Sequence, residues 1–176
     1  MDYQSFVPIT ACFTKATLAL SGAVATFTTT NATIYAIKGK FYTTNAAAGA
    51  ATGTTDGVTG ATFVPIPAGV AASGSNPGAA YGSVFVFCYD GSSTTAATAI
   101  KIAQGPIQAL DPATAKFITA PQFPSIPDTW CPFGYATVLG ATNSAAFAFG
   151  TSLWNATGIT VNAQDIASLP PRPQVA

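Results

Sequence analysis

The chain is expected to be all-β: an antiparallel sandwich, a jelly-roll-like body or a small barrel, with long Ala/Gly/Thr-rich loops and extended termini. Three observations predict this. β-Branched and aromatic residues recur in short runs bounded by Gly, Pro, Asn and Asp. The heavier hydrophobes come in bursts suited to thin β-layers, and 16 glycines and 13 prolines punctuate the chain. The alanine-rich stretches, which alone would favour helix, are interrupted by glycines that disfavour it.

The first run spans Ala23 to Thr30, where Val24, Thr26, Thr28 and Thr30 alternate with Ala25, Phe27 and Thr29. The next, Thr33 to Thr44, puts Tyr35, Ile37 and Phe41 on one face. Ile34, Ala36, Lys38, Lys40 and Tyr42 fall on the other, the lysines serving as edge protection. Residues 45–62, with Asp56-Gly57 at their centre, are expected to form a surface loop or loose hairpin. Phe63-Val64-Pro65-Ile66-Pro67 reads as an edge strand, because proline donates nothing to a ladder. A second flexible stretch follows from Gly69 to Ala80.

Tyr81–Tyr89 is the strongest strand. Tyr81, Phe85, Phe87 and Tyr89 share one face with Ser83, while Val84, Val86 and Cys88 line the other. Apolar residues on both faces predict a central strand covered on both sides. Asp90-Gly91 signals a hairpin and Ala99–Ala103 a returning strand. Asp111-Pro112-Ala113-Thr114 joins an N-cap residue to a proline at the first helical position, which predicts one turn of helix. Residues 119–132 carry Pro121, Pro124, Pro127 and Pro132 and form a stiff passage between layers. A meander of short strands follows at Phe133–Leu139, Ala145–Gly150 and Ile159–Ala163. The expected organisation is a main β domain with an N-terminal extension over 1–120, a C-terminal meander packed on or continuing it over 121–166, and an extended tail over 167–176.

Composition narrows function. The 176 residues suffice for one domain. There is no histidine and no glutamate, and only 7% of residues are charged, against about 25% in an average domain. Without histidine, the usual serine- and cysteine-hydrolase triads and His/Cys zinc sites lose their central group. No phosphate-cradling glycine motif is present. Asp56, Asp90, Asp111, Asp128 and Asp165 sit in turn or cap contexts, where aspartate bonds nearby backbone, and nothing singles out a Ser–Lys pair. The chain is therefore not expected to be an enzyme, and no catalytic, cofactor-binding or metal-binding residue is assigned.

The basic residues are scattered and the formal net charge is zero, which argues against nucleic acid as a partner and favours assembly. Cys12, Cys88 and Cys131 are widely spaced, and the favoured reading is three small buried hydrophobes rather than a disulfide with one thiol left over. The N-terminal residues lack the pattern of a secretory signal, and no apolar run is long enough to span a membrane. Synthesis in a cytoplasm is expected, with no membrane partner, and the Asn31 and Asn155 sequons are then coincidental.

The aromatic residues are the remaining tools. Trp130, Phe133, Tyr135 and Trp154, with Pro170 and Pro171 of the tail, form the candidate interface; core packing is the competing reading. A carbohydrate platform is a third, weakened by the scarcity of flanking charged or amide groups.

Trp130-Cys131-Pro132-Phe133-Gly134-Tyr135-Ala136-Thr137-Val138 is followed by a Gly/Asn/Ala hairpin. Trp154-Asn155-Ala156-Thr157-Gly158-Ile159-Thr160-Val161 and a Leu169-Pro170-Pro171 tail complete the series. This order resembles small structural proteins of tailed-bacteriophage virions, particularly capsid decoration or cement proteins. It covers roughly the last third of the chain; the first two thirds match in composition only. The resemblance implies a homotrimer on the outer capsid surface, bound to the major capsid protein and bridging capsomers, with no catalytic motif. A receptor- or glycan-binding module of a phage fibre or tail is the alternative. A bacterial surface-layer or filament subunit is the third option.

Overall fold

The computed structural model describes residues 8–20 and 25–170. It is an antiparallel all-β protein with eleven strands and one helical turn among these residues. The strands are β1 (Ala11–Cys12), β2 (Leu18–Leu20), β3 (Thr26–Thr29), β4 (Thr33–Ile37), β5 (Lys40–Thr44), β6 (Ala47–Ala51), β7 (Ala80–Tyr89), β8 (Ile100–Gln104), β9 (Gln108–Leu110), β10 (Cys131–Gly140) and β11 (Ile159–Asp165). The helix α1 (Ala96–Ala99) precedes β8.

The body is layered. A large sheet runs β11-β10-β7-β8, with β9 sharing the β7 edge that β8 leaves free. Two small sheets, β1-β4-β5 and β2-β3-β6, contribute to the core on one face of it.

β7 carries the packing. Its alternation holds as the sequence predicts: Phe85, Phe87 and Tyr89 enter the main core, while Val84, Val86 and Cys88 enter a second cluster on the opposite face. In the main core Phe85 stacks on Phe149 at 4.1 Å, and Tyr89 stacks on Phe133 at 4.2 Å. Cutting any of these rings back to alanine would cost about 3–5 kcal/mol.

The second face is covered by the proline-rich passage. Phe123 meets Tyr135 edge-on at 5.1 Å, and Ile126, Trp130, Ile166 and Leu169 pack around it. Pro121, Pro124 and Pro127 hold this passage extended, so it lies over the sheet without needing ladder bonds. Because β10 pairs with both β7 and β11, residues from the meander continue the sheet begun by β7.

Several sequence expectations need correction. Thr33–Thr44 is not one strand but the β4–β5 hairpin, turned at Lys38 (φ 49°) and Gly39 (φ 80°). Two consecutive positive φ values are the signature of a type I′ turn. The turn resets the alternation: Tyr42 pairs with Tyr35, and Phe41 pairs with Ala36 on the other face. Lys38 therefore leaves the strand and meets Asp128 at 2.7 Å, while Lys40 stays on the edge strand over the Tyr42 ring.

Residues 45–62 are only partly a loop. Ala47–Ala51 pairs with β3, helped by Gly49 in a left-handed conformation and by Thr28 and Thr29 hydroxyls that accept from the Gly49 and Ala47 N–H groups. Ala145–Gly150 is not a strand; a single bridge, Ile66 to Phe147, fixes it, and it delivers Phe147 and Phe149 to the core. Asp111 caps a single turn through Ala113 and Thr114, but Ala115 at φ 52° ends it before a helix forms. Val24 of the first predicted run lies outside the described residues.

Candidate contact surface

The residues proposed as an interface lie elsewhere than on a common surface. Phe133 is buried in the main core against Tyr89. Tyr135 is buried on the opposite face, its hydroxyl donating to Gln164 Oε1 at 2.6 Å. Simple alternation would put residues 133 and 135 on one face. A bulge between Pro132 and Gly134 in the β10–β7 ladder separates them, since an extra residue re-aims the side chains beyond it.

Trp154 is also buried, between Phe147 and Phe149, and its indole N–H donates to the Thr26 carbonyl at 2.8 Å. Trp130 is half-buried and packs so closely over Gly57 that a Cβ there would stand 3.0 Å from the indole ring. Pro170 is half-buried, and Pro171 lies outside the described residues. Burial of this kind satisfies both the apolar ring and its polar handle internally. None of Phe133, Tyr135 and Trp154 has surface left with which to touch a partner.

The exposed aromatic surface is on β1-β4-β5 and was missed from sequence. Phe13 and Phe41 are 54% and 69% exposed and stack on each other at 5.5 Å; Ile34 is also exposed. The Phe13 N–H bonds the Ile34 carbonyl, which fixes the segment after β1 beside β4. The signal was available: Lys38-Gly39 in the middle of a twelve-residue run marks a turn, and a turn there moves Phe41 to the face of Ile34. Neighbouring Ile9 is exposed as well, with its carbonyl held by the Gly39 N–H.

Titratable groups are spent on structure. Asp56 is buried; Oδ1 accepts from Val58 and Thr59 N–H, and Oδ2 accepts from Gln104 N–H. Asp90 accepts from the Ser92 N–H and hydroxyl, and Asp165 from Leu18 N–H. Asp90 also meets Lys101 at 3.4 Å, and Asp165 meets Lys15 at 3.8 Å.

The three cysteines are free and buried. Desolvation drives each thiol toward its neutral form, pushing Cys12 up to about 11 and Cys131 up to about 12, with Cys88 raised well above its ordinary value. Neutral, inaccessible thiols are poor nucleophiles and poor metal ligands. Among the described residues no group of three His, Cys, Asp or Glu side chains could hold a metal ion, and no helix is long and apolar enough to cross a membrane.

Two clefts accompany these features. One, of about 550 Å³, runs between the Asp56 turn and Gln104–Ile107; the other, of about 420 Å³, lies between Cys12–Lys15 and Asp165–Ala167. Asp56, Gln104 and Asp165 line them, but their polar atoms are engaged: Gln104 Nε2 donates to the Val64 carbonyl and its Oε1 accepts from Val64 N–H. No family model matches the chain, and no curated protein or solved structure matches it.

Proposed function

We propose that this chain is a virion structural protein of the capsid decoration type, binding the major capsid protein on the outer surface of the shell and bridging capsomers. The observation that carries the reading is the exposed Phe13–Phe41 pair beside Ile34 on a rigid sheet face. It belongs to a protein with almost no charge to spend on other kinds of recognition. Apolar aromatic surface held on a scaffold, with little ordering cost, is what recurrent protein contacts use. The order of motifs from Trp130 to Pro171 supports the same reading by resemblance. Each contact can be weak, because many copies engage a repeating lattice and the lattice multiplies them.

The test is co-sedimentation with undecorated capsids across a salt series. Binding should change little with salt, because few ions are released when uncharged surfaces meet. Phe41→Ser should weaken binding while leaving the folded monomer intact. Protein that stays in the supernatant at every salt concentration ends the proposal, as does specific retention on a glycan surface in place of capsid.

A further inference from the structure

The two outer edges of the large sheet are treated differently. On the β8 side the Asp56 turn closes the edge: Gly57 N–H donates to the Ile102 carbonyl, and Asp56 Oδ2 accepts the Gln104 N–H. On the β11 side the described backbone reaches the edge only past the strand's end, where Cys12 N–H donates to the Ala167 carbonyl. β11 pairs with β10 in unbroken register from Ile159 to Asp165. It has no lysine, no proline and no bulge, the devices that usually guard an edge.

The direction of its free groups follows from two bonds. Ile166 N–H donates to Phe133 O, and Ala141 N–H donates to Gly158 O. In an antiparallel ladder, inward-bonded residues alternate with outward-facing ones. Residues 158, 160, 162, 164 and 166 therefore bond inward to β10. Val161, Ala163 and Asp165 present N–H and C=O outward, while Ile159 N–H is already held by the Ala156 carbonyl. Thr160, Asn162, Ala163 and Gln164 are exposed, so the middle of this edge is open.

We infer that β11 is a homotypic interface, pairing antiparallel with β11 of a second copy about a two-fold axis at Asn162. Only a register whose bonded pairs join outward-facing residues is allowed. Centring on Asn162 pairs Val161 with Ala163 of the second copy and Ala163 with its Val161, exchanging four backbone bonds. Thr160 then faces Gln164, and Asn162 faces its own counterpart. The one charged residue of the strand, Asp165, faces Ile159, so no two carboxylates meet. A net charge of zero leaves no long-range repulsion between the copies. Partly buried Ile159 and Val161 lie at the rim of the main core, so the joined sheet extends that core across the axis. The contact is isologous and yields a dimer, whereas the virion resemblance implies a trimer; it stands independently of the capsid proposal.

Sedimentation velocity of the full chain over a concentration series tests it. The wild type should show a concentration-dependent species with the mass of two 17.7 kDa chains. Asn162→Asp sets two carboxylates opposite each other at the axis and should weaken the dimer about tenfold or more. Asn162→Lys should do the same, and mixing the two variants should restore pairing. Ala163→Pro, at an exposed position, removes an outward N–H without touching the β10 ladder, so it should abolish the dimer while circular dichroism and thermal midpoint hold. A chain that stays single at its highest soluble concentration overturns the inference. So does a dimer or trimer indifferent to Asn162→Asp, or a charge-swap mixture that fails to associate.

Discussion

Tyr35 and Tyr89 offer a test in which one chemical change should have two signs. Both side chains are fully buried, and their rings stack at 4.7 Å. Tyr89 and Thr33 share a buried hydrogen bond between hydroxyls at 3.1 Å. The Tyr35 hydroxyl makes no hydrogen bond of full geometry among the described residues, and the Gly91 backbone beside it offers only a weak contact. Burial, with the Asp90 carboxylate second, pushes Tyr35 up to about 12, and burial raises Tyr89 further. Both hydroxyls therefore stay protonated at neutral pH, and hydrogen bonding alone separates them.

A buried hydrogen bond contributes about 1 kcal/mol net, while a buried polar group without a partner bears a desolvation penalty of about 1–3 kcal/mol. Tyr89→Phe should thus destabilise by about 1–2 kcal/mol, because Thr33 Oγ1 keeps only a long contact to the Asn31 carbonyl. Tyr35→Phe deletes a group that folding leaves unpaired and should stabilise by about 1 kcal/mol. For a chain of this length, each kcal/mol moves the thermal midpoint by about 2–4 °C. Urea titrations with unchanged slopes are the assay, since a changed slope would signal an altered denatured state. Adding Thr33→Val to Tyr89→Phe should recover much of the loss, because removing both partners strands neither. Equal destabilisation by the two Tyr→Phe changes would refute the reasoning, as it would mean that Tyr35 has a partner.

Three further outcomes follow from backbone geometry and burial. Gly150 and Gly53 both have positive φ (81° and 70°), but a Cβ on Gly150 would collide with the Gly53 carbonyl while one on Gly53 meets nothing within 4 Å. Gly53→Ala should therefore cost about 1–2 kcal/mol, the left-handed strain alone, and Gly150→Ala markedly more by thermal melting. The thiols should resist a disulfide reagent at pH 8 until denaturant is added, then react three per chain. Their folded pKa values lie above the ordinary 9.0, so the native state holds protons that the unfolded chain releases. Stability should be level below pH 9 and fall as pH climbs toward about 11 and 12. A fall beginning below pH 8 would assign the alkaline loss to other groups.

Periodicity was the legible part of this fold. In β7 Tyr81, Phe85, Phe87 and Tyr89 share one face with Ser83, and both faces are covered in the predicted sense, because a ten-residue strand at the centre of a sheet has no freedom to shift register. β3 behaved likewise, with Ala25, Phe27 and Thr29 buried. Legibility failed wherever one residue breaks the count. Lys38-Gly39 inverts the face of Phe41, and the bulge at Phe133 sends its ring away from that of Tyr135. Alanine hid β6, since its strand character comes from its backbone pairing with β3 and from Ala47 and Gly49 N–H groups donating to the Thr29 and Thr28 hydroxyls rather than from its own side chains. The contact surface was misplaced for the same reason. Trp130 and Trp154 drew attention by size, whereas exposure is decided by local turns.

The scarcity of charge gives the remaining asymmetry its meaning. A sheet protein must dispose of two rows of unpaired backbone groups, and most use lysines, prolines or bulges to do it. This chain has six aspartates and five lysines in total, and the Asp56 turn closes one edge with a single carboxylate that satisfies three N–H groups. β5 is an edge of a separate sheet and carries Lys40. Nothing comparable falls on β11, although its seven residues make a longer row of donors and acceptors than β5 offers. Selection against aggregation acts on exposed edges, so an open, self-complementary strand whose one charge, Asp165, lies at its end is tolerated where another strand covers it. The same economy that leaves Phe13 and Phe41 in solvent therefore leaves β11 unguarded. Both features are where the capsid and dimer proposals place their contacts.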